Sequence, residues 1–398
     1  MVSYFTRFLA LAAALAPAFG APATAPHHLK IRNPLAEDVV PDSYIVVYNS
    51  NVDAATIASH VTSVSSMLSR GDLTGIGATY DMDELKGYQV VADEAAIAEI
   101  AASPEVAYIE KDAKVYANAL TSQTGATYGL GRISHRNQDS TTYIYDSSAG
   151  SGTTVYVVDT GTYTAHSQFG GRATFGANYI SGSPNTDENG HGTHCSGTIA
   201  GSTYGVAKKA NLVAVKVLDK SGSGTTSGVI SGIQWVGNNA NTNSVLSMSL
   251  GGTYSSALNS AVKSTVGKGV TVVVAAGNDG DDAGNYSPAS EPTAITVGAI
   301  DADDNRASFS NYGSLVDVFA AGVNVLSSWI GSTTATNTIS GTSMATPHIA
   351  GLAAYLIALE GITTPAAVQS RIKALATSGK IIDAKSANNL IGYNGNGS

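Results

Sequence analysis

Cysteine is nearly absent from this sequence: Cys195 is the only one in 398 residues. A single thiol cannot form an intramolecular disulfide, so stability in an oxidising compartment has to come from core size or a bound ion. Charged residues are also few, at 13 %, and the net charge of −9 argues against a nucleic-acid partner. The 43 glycines and 43 % hydrophobic residues are typical of a compact globular protein with many tight turns.

Long apolar runs are scarce beyond the N-terminus. One cation, Arg7, precedes an apolar run over residues 8–16, and small residues with a proline follow in residues 17–21. This pattern predicts a secretory signal peptide over residues 1–20, too short to span a bilayer. We expect no transmembrane helix after it, and therefore a secreted, extracellular protein that does not bind a membrane.

A small domain is predicted over residues 43–116, where segments whose apolar residues have the spacing of a strand are interspersed with segments that have the spacing of a helix. The resulting order, βαββαβ, is the ferredoxin-like arrangement. The domain has no set of catalytic groups, and His60 stands alone on a helix, so we interpret it as a folding aid or inhibitor. The expected elements are strands over 43–48, 75–80, 88–91 and 106–115, and helices over 57–68 and 94–101.

A larger α/β domain is predicted from residue 153 onward. Nearly continuous apolar runs, typical of strands buried on both faces, alternate with helical patterns, which favours a three-layer domain with a mostly parallel sheet. In such sheets ligands bind outside the carboxyl ends of the strands. The expected strands are 154–158, 211–218, 245–250 and 270–276, and the expected helices are 225–237, 255–267 and a buried one from 343 to about 359.

Polar residues stand where several of these elements begin or end. Asp159 follows the first strand in VVDTG, His191 precedes a helix in NGHGTHCSGTIAG, and Ser343 opens the buried helix in GTSMATPHIAG. A helix N-terminus favours developing negative charge, so it is a suitable place for a nucleophile. Taken singly, Asp159 also fits an Asx turn and Ser343 an ordinary helix cap. Asn278, in AAGN, could donate its amide to an oxyanion.

A metal site is the alternative interpretation of the histidine motif, because His191 and His194 are three residues apart. No HExxH pattern, cysteine pair or third histidine accompanies them, so we do not expect zinc.

Three motifs taken together resemble the subtilisin family of serine endopeptidases, and are most similar to its secreted, proteinase K-like fungal branch. They are DTG at residues 159–161, HGTHCSG at 191–197 and GTSMATPH at 341–348. The similarity extends from about Tyr44 to the C-terminus. It implies a subtilisin-like catalytic domain over 119–398, preceded by an inhibitory propeptide over 21–118 that is removed by self-cleavage near Asn118 and Ala119.

The resemblance also assigns roles. Ser343 would be the nucleophile, His191 the general base and acid, and Asp159 the carboxylate that orients the histidine. Asn278 and the backbone N–H of Ser343 would bind the oxyanion. An extended peptide would lie between two edge segments, and the absence of fixed charge there predicts broad specificity with a preference for apolar or aromatic residues. The implied substrate-binding residues are Gly222, Ser223, Gly224, Ser249, Leu250, Gly251, Gly252, Ala275 and Gly277.

A structural Ca²⁺ ion is implied by the same resemblance, bound by the main-chain oxygens of Pro292 and Ala294 and the carboxylate of Asp317. The branch usually has disulfides that this chain lacks, which leaves catalysis intact but makes extreme stability doubtful. Asn285 (NYS) and Asn396 (NGS) match the N-glycosylation sequon.

The leading hypothesis is a secreted, monomeric endopeptidase that cleaves proteins and is made as a zymogen inhibited by its own propeptide. A vacuolar member of the same family would cleave the same bonds elsewhere. A catalytically silent binding protein would be expected to lack a triad residue, and none is missing here. An esterase or acyltransferase is a further alternative, because acyl transfer does not require an amide.

Overall fold

The computed structural model describes residues 31–33, 39–69, 75–113, 120–241 and 243–397. The chain divides into two compact units, Met1–Tyr116 and Ala117–Ser398. The predicted signal peptide and the predicted self-cleavage point near Asn118 lie outside the described residues.

The smaller unit is a four-stranded antiparallel sheet with two helices, and its order along the chain is the predicted βαββαβ. Asp53 and Asp93 begin the two helices, because each side chain accepts a hydrogen bond from the backbone N–H three residues later. The sheet order is β2-β3-β1-β4. The elements are β1 (Val39–Tyr48), α1 (Ala54–Leu68), β2 (Gly75–Asp81), β3 (Lys86–Val91), α2 (Glu94–Ala102) and β4 (Val106–Ala113).

The larger unit contains a nine-stranded sheet of order β18-β19-β15-β14-β12-β10-β7-β9-β8, parallel except where β18 pairs with β19. This confirms the predicted subtilisin-like class. Its elements are β5 (Leu120–Thr124), α3 (Tyr128–Ser134), β6 (Thr142–Asp146), β7 (Thr154–Asp159), β8 (Ala173–Asn178), α4 (His191–Ala200), β9 (Asn211–Lys216), α5 (Thr226–Asn239), β10 (Ser244–Met248), β11 (Gly252–Thr253), α6 (Ser256–Gly267), β12 (Thr271–Ala275), β13 (Tyr286–Ser287), β14 (Ile295–Ile300), β15 (Val318–Ala321), β16 (Val325–Ser328), β17 (Thr336–Ile339), α7 (Thr342–Glu360), α8 (Pro365–Leu375), β18 (Thr377–Ser378) and β19 (Leu390–Ile391).

Strand β7 shows why this sheet has helices on both faces. Alternate side chains of a strand point to opposite sides, and here both sides are apolar. Val155 and Val157 pack into the core that includes α4, α7 and α8, whereas Tyr156 and Val158 pack into the core that includes α5 and α6. The continuous hydrophobic run in the sequence is therefore the signature of a central strand.

Helix α7 is the one helix in the described part of the chain that is long and apolar enough to cross a membrane, with a mean hydropathy of 1.3. The sequence-based expectation of no such stretch was therefore wrong as a statement about composition. However, 83 % of the helix is buried inside the protein, and core helices pass the same test.

His194 in α4 and His348 in α7 are two of the four buried histidines in the described residues. Each ring makes a hydrogen bond to a main-chain carbonyl, that of Val325 or Met344 respectively. Burial nevertheless lowers the pKa of each imidazole to about 4, because the charged form cannot be solvated. In the unfolded chain a histidine titrates near about 6.5. Below that pH the unfolded state therefore binds protons that the folded state does not.

We expect this difference to destabilise the protein in mild acid. At pH 5 each of the two histidines should have reduced the free energy of unfolding by about 2 kcal/mol relative to pH 8. Urea unfolding of an inactive Ser343→Ala chain at both pH values measures the loss. His348→Met should reduce that loss by about 2 kcal/mol, the share of this one histidine, and an equal loss in parent and variant would contradict the assignment.

Candidate active site

Asp159 is the last residue of β7, the third strand from one edge of the sheet, and is fully buried. One of its carboxylate oxygens, Oδ1, accepts a hydrogen bond from the N–H of Thr160 at 2.7 Å. The same oxygen lies 2.7 Å from Nδ1 of His191. The structure thus brings together the first two of the three predicted catalytic residues.

His191 is the first residue of α4, and the residue after it explains how it comes so close to Asp159. A β-carbon at Gly192 would lie 2.0 Å from the carbonyl oxygen of Gly161. Only a glycine can therefore occupy this position while the helix packs directly on the DTG loop. The N–H of Gly192 also donates to the hydroxyl of Thr160 at 2.9 Å.

Asp187 fixes the beginning of α4 and was not identified from the sequence. It is only 5 % exposed. Its carboxylate accepts hydrogen bonds from the N–H groups of Asn189, Gly190 and Thr193 and from the hydroxyls of Thr160 and Thr193, all between 2.6 and 3.0 Å. An acidic residue just before a helix N-terminus is the signal that could have revealed it.

The charges around His191 determine its protonation. Burial opposes its charged form, but the nearby Asp159 carboxylate, through its charge and its hydrogen bond, outweighs that effect, and Asp187 adds to it. The net result is a pKa raised above the usual value of histidine. The ring remains 24 % exposed, so a substrate can reach it.

Ser343 is the second residue of α7, and its hydroxyl contacts Ser249, the residue directly after β10. Its hydroxyl donates to the carbonyl oxygen of Ser249 at 3.0 Å. In return the hydroxyl of Ser249 donates to the carbonyl of Ser343 at 2.8 Å. Among the described residues, the hydroxyl of Ser343 therefore donates to Ser249 and not to His191.

Asn278 follows β12, and its side chain is held by Thr342. The amide oxygen accepts from the N–H and the hydroxyl of Thr342, at 2.8 and 2.9 Å. This fixes the orientation of the amide and leaves its NH₂ group available to donate elsewhere. Asn278 and Ser343 line the same cavity.

Two cavities, of about 570 and 400 Å³, lie on either side of the segment Leu250–Thr253. The first is also lined by His191 and the second by Ser343. An exposed carboxylate, that of Asp279, lines the second cavity and was not included in the predicted cleft. The predicted substrate-binding residues are distributed as Gly222, Ser223, Gly224 and Ser249 in the first cavity, Ala275 and Gly277 in the second, and Leu250, Gly251 and Gly252 in both.

Cys195 is a free, buried thiol in α4, and its sulfur lies within 4.8 Å of ligand atoms of Asp159 and His191. Burial raises the pKa of this thiol well above its usual range, so it stays protonated and is a poor metal ligand. Its S–H donates to the carbonyl of Ser343 at 3.4 Å. His194 makes its contact with Val325 instead, so the two histidines of the motif do not point to a shared metal site.

Two of the three residues predicted to bind calcium, Asp317 and Ala294, have hydrogen-bond or ion-pair partners within the protein. Oδ1 of Asp317 lies 2.5 Å from the ammonium of Lys373, and its Oδ2 accepts from the N–H of Thr296. The carbonyl of Ala294 accepts from the side-chain amide of Gln369 at 3.4 Å. At the position where the resemblance places calcium, the structure thus puts an ammonium beside Asp317, and a calcium ion held by Pro292, Ala294 and Asp317 stays a prediction.

The two glycosylation sequons differ in their surroundings. Asn285 is exposed, and its amide makes one hydrogen bond of 3.2 Å, to Asp281. The amide nitrogen of Asn396, the atom that would carry a glycan, donates to the buried hydroxyl of Tyr355 at 2.7 Å. The folded chain thus presents Asn285 far better than Asn396.

Two families match this chain. Residues 150–394 match the subtilase family, and residues 43–118 match the peptidase inhibitor I9 family. The inhibitor match coincides with the small βαββαβ unit, and the subtilase match includes Asp159, His191 and Ser343.

Similar proteins and a similar structure are known from other organisms. The chain is 63 % identical to subtilisin-like protease 2 of Pseudogymnoascus destructans, over 100 % of both chains. It is 50 % identical to the cuticle-degrading protease of Metarhizium anisopliae, over 91 % of this chain and 92 % of that protein. A crystal structure of a cold-adapted subtilisin-like serine proteinase is 46 % identical, with a TM-score of 0.66, and covers 68 % of this chain and 99 % of its own.

Asp187 provides a direct test of how the site is positioned. In Asp187→Asn the negative charge that supports protonated His191 is lost, so the acidic limb of the kcat/KM profile should move to lower pH. Loosening of α4 should also lower kcat by about 10- to 100-fold with little change in KM. Steady-state kinetics from pH 5 to 10 measure both effects.

Asp303→Asn is the control for Asp187→Asn, because it removes one negative charge from an exposed side chain outside both cavities and leaves the α4 hydrogen bonds in place. Its profile should follow that of the parent enzyme. If Asp187→Asn left the pH profile and kcat unchanged, Asp187 would have no positioning role.

Proposed function

The chain belongs to the subtilase family of serine peptidases and carries an I9 inhibitor domain ahead of its peptidase domain, and from this we propose a secreted endopeptidase made as a zymogen. The observation that carries the proposal is the 2.7 Å contact between Asp159 and His191, whose ring lines the cavity next to the one that Ser343 lines. Its reaction is the hydrolysis of peptide bonds.

His191 is the base in this proposal. Its Nδ1–H donates to Asp159, which leaves the unprotonated Nε2 to accept a proton. When a peptide binds, the hydroxyl of Ser343 turns from Ser249 towards Nε2, loses its proton to it, and attacks the scissile carbonyl. The protonated His191 then gives this proton to the leaving amine. A water molecule, activated in the same way, releases the acyl group and restores the serine.

The oxyanion of the tetrahedral intermediate is stabilised by two donors in this scheme. One is the NH₂ group of Asn278, whose orientation is fixed by Thr342. The other is the backbone N–H of Ser343 at the N-terminus of α7, where the helix dipole favours negative charge. Loss of one such donor costs about 100- to 1,000-fold in kcat in related enzymes.

The substrate is an extended segment of a protein. We propose that its backbone lies along residues 222–224 and 249–252, where glycines allow close approach and main-chain hydrogen bonds provide affinity. The cavity beside Ser343 accepts the side chain before the scissile bond. Leu250, Ala275 and Ala289 give it apolar contact surface, which favours apolar and aromatic residues with otherwise broad specificity.

The remaining features fit the same proposal. The N-terminal signal pattern supports secretion, and a cuticle-degrading relative is consistent with an extracellular substrate. We propose that the I9 domain inhibits its own peptidase domain until it is removed, that the enzyme acts as a monomer, and that any glycan is carried by Asn285 rather than Asn396.

The nucleophile can be identified by labelling with a fluorophosphonate probe, followed by peptide mapping and intact mass. Label should appear on Ser343 in a chain that begins near Ala119, because attack on phosphorus requires the assembled triad and the mature mass requires removal of the propeptide. Ser343→Ala should take no label and should remain unprocessed.

Ser340→Ala is the matched control, because Ser340 is an exposed serine three residues before the nucleophile. It should be labelled and processed like the parent. A folded, processed parent chain without label would favour the silent binding protein instead. Labelling combined with hydrolysis of small esters but not casein would favour the esterase.

The charge of Asp279 should determine which substrate side chains the cavity beside Ser343 accepts. Peptides that differ only before the scissile bond should be cleaved best with Phe or Leu and worst with Glu, which the Asp279 carboxylate repels. Asp279→Asn should raise kcat/KM for the Glu peptide about 2- to 5-fold, as expected for a solvent-exposed charge pair, and leave the Phe peptide unchanged. Asp303→Asn, an exposed acid outside the cavities, should change neither peptide. An equal change for both peptides would remove Asp279 from the specificity site.

A further inference from the structure

The predicted calcium site of this chain contains a cation of its own. Subtilases commonly bind structural calcium, and the resemblance placed an ion at Pro292, Ala294 and Asp317. In the structure, Asp317 instead faces Lys373, and the carbonyl of Ala294 faces Gln369. Both of these side chains come from α8.

The sheet holds Asp317 in place. The backbone N–H of Asp317 donates to the carbonyl of Thr296 at 2.9 Å, and the side-chain Oδ2 of Asp317 accepts from the N–H of Thr296, also at 2.9 Å. Asp317 is therefore hydrogen-bonded to β14 through both its backbone and its side chain. It is only 9 % exposed, so its remaining oxygen needs a positive partner.

Helix α8 supplies that partner in a defined position. Val368 and Ile372 are buried in the core and anchor the helix. Gln369 and Lys373 are four residues apart, so they lie on the same face, one above the other. Lys373 lies in the last turn, where the helix dipole also favours a positive charge.

We propose that the ammonium of Lys373 takes the place of the calcium ion, so that this site does not bind Ca²⁺ in the wild-type protein. Calcium requires six to eight oxygen ligands. Here α8 presents two N–H donors to the carbonyl and carboxylate oxygens, which is the opposite polarity. An ammonium within contact distance of Asp317 would also repel a divalent cation. The inference concerns stability and does not depend on the proposed catalytic roles.

Removal of the lysine should create a calcium site. We would compare the full chain carrying Ser343→Ala, which prevents self-digestion, with the same chain carrying Lys373→Ala. Isothermal titration with Ca²⁺ should show one more bound ion per chain in the Lys373→Ala protein. Its Tm should rise by about 3 to 5 °C at a Ca²⁺ concentration one hundred times the dissociation constant, beyond any rise in the parent.

Arg371→Ala is the matched control for the loss of positive charge. Arg371 lies on the same helix, but its exposed side chain pairs with Glu360 and not with Asp317. This variant should bind the same number of calcium ions as the parent. Equal stoichiometry in the parent and Lys373→Ala proteins would overturn the proposal, as would a new site in Arg371→Ala.

A second measurement decides the question even if Lys373→Ala does not fold. Asp317→Asn removes the carboxylate while Lys373 stays in place. If Lys373 is its only cation, the loss in Tm should be the same in EGTA and in millimolar Ca²⁺. A loss that is larger in Ca²⁺ would show that Asp317 binds the metal in the wild-type protein and would overturn the proposal.

Discussion

The contact between Asp159 and His191 is possible only because the DTG loop and the start of α4 touch backbone to backbone. A single methyl group at Gly192 would collide with the carbonyl of Gly161, so the helix would have to move away. A displacement of about 1 Å is enough to cost about 100-fold in catalysis. The glycine after the histidine in the HGTH motif is therefore as much a part of the geometry as the histidine itself.

Buried charge near this contact is balanced rather than avoided. Asp159 and Asp187 both lie at the carboxyl end of the sheet, and Lys216 is opposite Asp159 in the register of β9. Its fully buried ammonium donates to the carbonyls of Thr160 and Leu218, at 2.6 and 2.9 Å. An unpaired buried charge would be costly, and the carboxylate of Glu188, 3.9 Å from this ammonium, provides the opposite charge. Because Leu218 lines the first cavity, these two hydrogen bonds of Lys216 also connect the DTG loop after β7 to the wall of that cavity.

Much of this arrangement was readable from the sequence because it depends on local patterns. Both domains follow from periodicity, and the continuous apolar runs gave the central strands to within a few residues. The glycine-flanked motifs pointed to Asp159, His191 and Ser343, although their chemical roles stay predictions. Asp187 was missed although its signal is local, whereas the partners of the predicted calcium ligands depend on distant pairing. Nothing near Asp317 indicates Lys373, which is 56 positions later, and nothing near residue 294 indicates Gln369.

The lysine at the predicted calcium site changes what stabilises this protein. Bound calcium stabilises by RT ln(1 + [L]/Kd), a contribution that vanishes when calcium is scarce. A lysine is part of the chain, so its contribution to stability does not depend on the concentration of free calcium. However, it carries one charge rather than two, and its side chain is 34 % exposed, so the pair contributes at most about 1 kcal/mol. With a single cysteine as well, stability has to come chiefly from the two cores packed on the faces of the sheet.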